Sequence, residues 1–131
     1  NIRNFRIMSN LFYNALRVKN IIINLVHYQE SESKINLSKI VSTKLHQDYN
    51  YLSKLFSEIE GKTIETYFIA QKIERVKELL VYNELSLSEI AFKLNYSSVA
   101  YLSNQLKKVT GLTPSNFKQT KVIKRLSLDK L

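Results

Sequence analysis

At 131 residues and 44% hydrophobic content, the chain can bury a real core and bounds one domain or two very small ones. Two glycines and one proline argue for long helices against a turn-rich β fold, and the absence of cysteine excludes disulfide frameworks and thiolate metal sites. A formal charge of +9 and a pI of about 9.7 suit a polyanionic partner, while no apolar run reaches membrane-spanning length and no signal-peptide pattern opens the chain.

Residues 1–17 carry scattered apolar residues (Phe5, Ile7, Leu11, Phe12, Leu16) without a start signal, and read either as a helix or as the remnant of an upstream domain. From Val18 to Tyr28, Ile21, Ile22, Leu25 and Val26 form an apolar stripe at helical spacing. The polar, serine-rich stretch Gln29 to Lys34 reads as a loop. Asn36 is a candidate cap for a helix carrying Leu37, Ile40, Val41 and Leu45 inward, followed by a turn at His46-Gln47. Asp48 caps the next helix, which turns Leu52, Leu55, Phe56 and Ile59 to one face and stops at Gly61. Thr63 opens a long helix to about Tyr82, with Phe68, Ile69, Ile73, Val76 and Leu80 recurring.

Ser86-Leu87-Ser88-Glu89 has the form of a capping box, and places Leu87, Ile90, Ala91 and Leu94 inward. Asn95 is the non-glycine residue best able to adopt a left-handed turn. Ser97 or Ser98 caps a helix with Leu102, Leu106 and Val109 inward, ended by Gly111. Thr113-Pro114 pairs an N-cap with proline at the first helical position and opens a last helix to about Lys124. The histidines, His27 and His46, lack ligand spacing and read as helix-surface residues; no metal and no cofactor is expected.

The chain repeats itself. Tyr51-Leu52-Ser53, Gly61 and Thr63 return as Tyr101-Leu102-Ser103, Gly111 and Thr113, and Leu37-Ser38 and Ile40 return as Leu87-Ser88 and Ile90. Ile73 and Arg75 return as Ile123 and Arg125 at the same offset of 50 residues, so that about ten of forty aligned positions are identical. Each copy is a helix, a short turn and a second helix with one polar face, which is the helix-turn-helix plan whose second helix enters the DNA major groove. The stripe opposite the core would be Ala100, Ser103, Asn104 and Lys107, led by Val99, in the second copy. In the first copy it would be Asn50, Ser53, Lys54 and Ser57, led by Tyr49. Asn suits an adenine edge, Ser donates or accepts, and Ala or Val can touch a thymine methyl. Lys107, Lys108 and the capping Ser97 and Ser98 would neutralise or bond phosphates, which fix position rather than sequence.

The stretch 85–118 resembles the DNA-binding domain of AraC-type bacterial transcription regulators. The features that carry the likeness are Ile90-Ala91, Asn95-Tyr96, Tyr101-Leu102-Ser103, Lys107-Lys108, Gly111, Thr113-Pro114-Ser115 and Phe117-Lys118. Asn95 and Leu106 replace the family's usual Gly and Phe, and Asn104 stands where many members place Arg. The resemblance implies an all-α fold of two helix-turn-helix subdomains joined by a long linker helix, each subdomain reading a major-groove segment. Segments one helical turn apart on the same face of DNA are separated by about 34 Å. The expected division is an N-terminal segment (1–17), a first subdomain (18–62), a linker helix (63–83), a second subdomain (84–125) and a tail (126–131), in about seven helices.

Charge ranks the copies. Residues 86–131 carry 8 Lys or Arg against 2 Asp or Glu, whereas residues 36–85 carry 7 against 7. The expected function is sequence-specific binding of double-stranded DNA by a cytoplasmic, nucleoid-associated transcription regulator, with RNA polymerase a further candidate partner and no membrane partner; the oligomeric state stays open, with binding by this segment as a monomer one option. The competing expectation is a helical protein-interaction or dimerisation module that does not bind DNA, which the neutral first copy favours. An enzyme is not expected, because no nucleophile-base pair, phosphate-cradling glycine loop or metal constellation is present.

Overall fold

The computed structural model describes the backbone of residues 1–28 and 36–129, and the side chains of these residues up to Lys121. The loop expected at Gln29 to Lys34 lies outside the described residues. Within them the fold is all-α, with seven helices: α1 (Ile2–His27), α2 (Leu37–Leu45), α3 (Tyr49–Glu60), α4 (Ile64–Tyr82), α5 (Leu87–Lys93), α6 (Val99–Thr110) and α7 (Pro114–Asp129). The chain divides into two compact units, the first ending at Gln71 and the second beginning at Lys72, inside α4.

In the first unit, α1 packs along α3 and against α2. Ala15, Val18, Ile22 and Val26 of α1 meet Val41, Leu45, Leu52, Leu55, Phe56 and Ile64 in one core, with Tyr49, Ile59, Tyr67 and Phe68 packed around it. Two polar contacts fasten its rim. Lys19 reaches Glu60 at 2.7 Å, and His27 shares a 2.9 Å hydrogen bond with Gln71. Residues 2–17 take the helical alternative and run on into the Val18 stripe as one helix from Ile2, with Asn1 accepting the Arg3 backbone N–H and no glycine or proline interrupting the stretch.

The second unit buries Ile73, Val76, Leu79 and Leu80 of α4, Ile90, Ala91, Leu94, Tyr96, Leu102 and Leu106 around its short helices, and Phe117 of α7. The capping box is complete: Ser86 Oγ accepts the Glu89 N–H at 3.1 Å, and Glu89 accepts the Ser86 N–H at 3.2 Å. Ser98, rather than Ser97, caps α6 by accepting the Tyr101 N–H. Val109 is 50% exposed instead of inward; the last turn of α6 is closed by Thr110, whose hydroxyl donates to the Leu106 carbonyl at 2.7 Å. The last helix passes the expected stop at Lys124 and runs to Asp129, since no breaker follows Pro114.

The two copies reach the same cap spacing by different routes. Asn36 and Asp48 cap α2 and α3, and Ser86 and Ser98 cap α5 and α6, each pair 12 residues apart in sequence. The left-handed residue between them is His46 (φ 54) in the first copy and Asn95 (φ 60) in the second, an offset of 49. The same backbone bond closes both turns, from Gln47 N–H to Ser42 O and from Tyr96 N–H to Ala91 O. The first copy therefore has one more residue before the turn and the second one more after it. That extra residue lets Tyr96 turn inward, where its hydroxyl donates to Gln105 Oε1 at 2.6 Å and its ring lies 4.0 Å from Lys72 Nζ. Burial pushes the Lys72 ammonium down to about 8, and the aromatic face opposes this by favouring the charged form.

Leu102 is fully buried, so Leu102→Ala is expected to cost about 3 kcal/mol through lost transfer energy and a cavity. Gly111→Ala is expected to cost only about 1 kcal/mol, because φ is +80° but a Cβ would meet nothing within 4 Å. Denaturant midpoints of the two variants check this order. Burial, then the neighbouring Tyr101, raises the Tyr96 hydroxyl well above its ordinary 10.0. Unfolded tyrosine ionises near that ordinary value while folded Tyr96 keeps its proton, so this stabilisation is full below pH 10 and lost above it. Melting temperature should fall as pH rises past 10, and Tyr96→Phe should make that fall shallower.

Candidate nucleic-acid interface

In α6, Leu102 and Leu106 are fully buried, which fixes the rotation of the helix. Residues half a turn away then point outward, at i, i+4 and i+7. Ala100, Asn104 and Lys107 are exposed along that line, Lys108 is exposed on one flank, and Ser103 is half-buried on the other. Val99 is half-buried in the first turn. Ser97 and Ser98 are exposed ahead of the helix, with the Ser98 hydroxyl already committed to its cap. The structure thus brings Ala100, Asn104, Lys107 and Lys108 onto one exposed face with Ser103 at its edge, whereas Val99 turns toward the core side and Ser97 and Ser98 precede the helix.

The first copy repeats the geometry. Leu52 and Phe56 are fully buried, Asn50 and Lys54 are exposed, and Ser53 and Ser57 are half-buried. Tyr49 departs from the pattern. Its ring packs on the core and its hydroxyl donates to Glu65, and burial followed by that carboxylate raises the hydroxyl well above the ordinary tyrosine value. Tyr49 therefore anchors α3 to α4, and a groove contact would require that bond to break. Asn50, Lys54, Asn104, Lys107 and Lys108 make no side-chain bond to other described residues, so their polar atoms face solvent.

The acidic residues of the first copy are less obstructive than composition suggests. Asp48 accepts the Tyr51 N–H as the α3 cap, and Glu60 is paired with Lys19. Glu58 remains exposed on α3, at the position where the second copy has Lys108. The flanks also carry a pair that the sequence reading gave no role at the interface. Tyr51 and Tyr101 are 48% and 55% exposed, beside the two outward stripes. The signal was their identity in both copies. Other motif residues are structural: Pro114 and Phe117 are buried, and Lys118 Nζ donates to Asn83 Oδ1 at 2.9 Å, at the left-handed end of α4.

Among the described residues no cluster of His, Cys, Asp or Glu could hold a metal ion, and no helix is long and apolar enough to cross a membrane. Residues 41–120 match a helix-turn-helix domain family. The chain is 32% identical over 105 residues to the helix-turn-helix transcriptional regulator YtdP of Bacillus subtilis, an alignment covering 79% of this chain and 14% of that protein. It is 34% identical over 67 residues to the xylose operon regulatory protein of Escherichia coli K12, covering 51% and 17%. Among solved structures it is similar to the C-terminal domain of AraT, a response regulator of Geobacillus stearothermophilus, with a TM-score of 0.69, 25% identity, and coverage of 82% of this chain and 84% of that one. The chain spans less than a fifth of either curated relative. The matched span runs from within α2 into α7, and the chain belongs to the AraC-type helix-turn-helix domain family.

Proposed function

We propose that this chain is the DNA-reading part of a transcription regulator, with α3 and α6 each entering a major-groove segment of double-stranded DNA. The observation that carries the reading is the duplicated, equally spaced pair of capped helices, in which each second helix turns an unpartnered polar stripe to solvent. Membership of the family and relatives named as transcriptional regulators support it. On this reading Asn104, Ala100, Asn50 and Lys54 meet base edges, with Ser53, Ser57, Ser103 and Val99 beside them. Lys107, Lys108, Ser97 and Ser98 meet phosphates. Residues 18–62 and 84–125 are then the two reading subdomains around the 63–83 linker, flanked by 1–17 and 126–131.

The stripes differ residue by residue, Lys54 against Asn104 and Asn50 against Ala100, so the bound site is asymmetric for a monomer. The basic second copy supplies most of the phosphate neutralisation. The regulator would act on nucleoid DNA in the cytoplasm, where RNA polymerase is the machinery that occupancy of the site affects.

Selection of bound sequences from a random duplex pool should return a non-palindromic site. Absence of binding to any duplex at low salt would sink the reading. Asn104→Ala should relax base preference at one position, by about 1–3 kcal/mol, with the salt dependence unchanged. Lys107→Ala should weaken binding to all sequences and reduce the salt slope by about one. If the two variants behave alike, the outward stripe of α6 has been assigned wrongly.

A further inference from the structure

Two leucines seat α6 on the core, but a helix resting on one apolar line can still roll about that line. Apolar packing is non-directional, so it opposes the roll less than a bond of fixed length and angle does. Leu102 and Leu106 form that line. Tyr101 and Gln105, one turn apart, stand to one side of it, between the line and the outward stripe. Both meet Tyr96. The Tyr96 hydroxyl donates to Gln105 Oε1 at 2.6 Å, and the rings of Tyr96 and Tyr101 lie 6.0 Å apart, tilted at 44°.

Tyr96 is itself held firmly. It is buried, its backbone N–H closes the turn on the Ala91 carbonyl, and its ring lies 4.0 Å from Lys72 Nζ of α4. A side chain fixed at its root and clamped to α4 acts as a strut, so what it grips on α6 is held relative to the second unit as a whole. In the first copy the corresponding positions are Gln47, by the turn bond, and Leu55, by the 50-residue offset. Leu55 is buried and can accept no hydrogen bond, so α3 is steadied on that flank by apolar packing.

We propose that Tyr96 and Gln105 are positioning residues for base reading by α6, fixing the roll of the helix and so the direction in which Ala100 and Asn104 project. The proposal rests on the reading of α6 as a groove helix. Asn104 is short and must meet a base edge within the narrow range of hydrogen-bond lengths. Lys107 and Lys108 have long flexible stems and follow a phosphate through a shift of about an ångström. Loss of the strut therefore falls on base preference under α6 and spares the salt-dependent affinity.

Competition binding tests this with three probes: the duplex site that the unmodified chain selects from a random pool, that site with single base-pair changes, and a random duplex. The base pairs under α6 are those at which Asn104→Ala relaxes preference. Tyr96→Phe and Gln105→Leu each remove the bond and should lower preference at those base pairs about tenfold. Preference at the remaining base pairs, affinity for the random duplex and the salt slope should stay as in the unmodified chain. The double variant Tyr96→Phe/Gln105→Leu separates positioning from stability. With both partners apolar no buried polar group is left unpaired, so much of the melting temperature lost in Gln105→Leu should return while base preference stays relaxed. Full preference in either single variant that is folded by circular dichroism overturns the proposal and leaves the DNA-binding reading standing. So does a loss spread evenly over all base pairs, a double variant that regains preference together with stability, or an Asn104→Ala variant that relaxes no position. An unmodified chain that binds no duplex at low salt overturns both.

Discussion

Everything outward-facing in this protein depends on one backbone constraint. The chain must reverse between two short helices and start the second with a fixed rotation, while every freed N–H and C=O still finds a partner. A left-handed residue makes the reversal, a five-residue backbone bond closes it, and an oxygen-bearing side chain caps the next helix. Buried leucines at the second turn, Leu52 and Leu102, then lock the rotation. Only with all these in place does a residue such as Asn104 have a defined direction in space.

The parts of this scheme that are encoded locally were legible in the sequence. Caps at Asn36, Asp48, Ser86 and Thr113, the stops at Gly61 and Gly111, and the inward leucines each follow from chemistry within four residues. What was not legible depends on partners distant in sequence. Tyr96 carried no core signal of its own in the sequence, yet it is buried because Gln105 and Lys72 receive it. Tyr49 read as a groove residue, yet its hydroxyl is held by Glu65, 16 positions away. Val109 has the periodicity of a core residue but lies at a helix end where Thr110 makes the closing bond. The left-handed His46 was hidden because histidine carries no such signature as strong as that of asparagine.

Charge shows the same division between what can be counted and what must be located. Seven acids and seven bases over residues 36–85 suggest a surface indifferent to polyanions. Located in the fold, one of those acids is a cap and another is half of a partly buried ion pair. The outward line of α3 is then left with Lys54 and, on its flank, Glu58, while α6 presents Lys107 and Lys108. The two copies are thus graded in electrostatic strength, not opposed.

The unequal turns of the two copies carry an evolutionary consequence. One residue was shifted from one side of the left-handed hinge to the other, and the distance from cap to cap did not change. The hinge can therefore shift by a residue while the cap-to-cap spacing and the burial of Leu52 and Leu102 are kept. A duplicated module built this way tolerates drift in its connecting segment, and selection remains free to act on the exposed face of each copy separately.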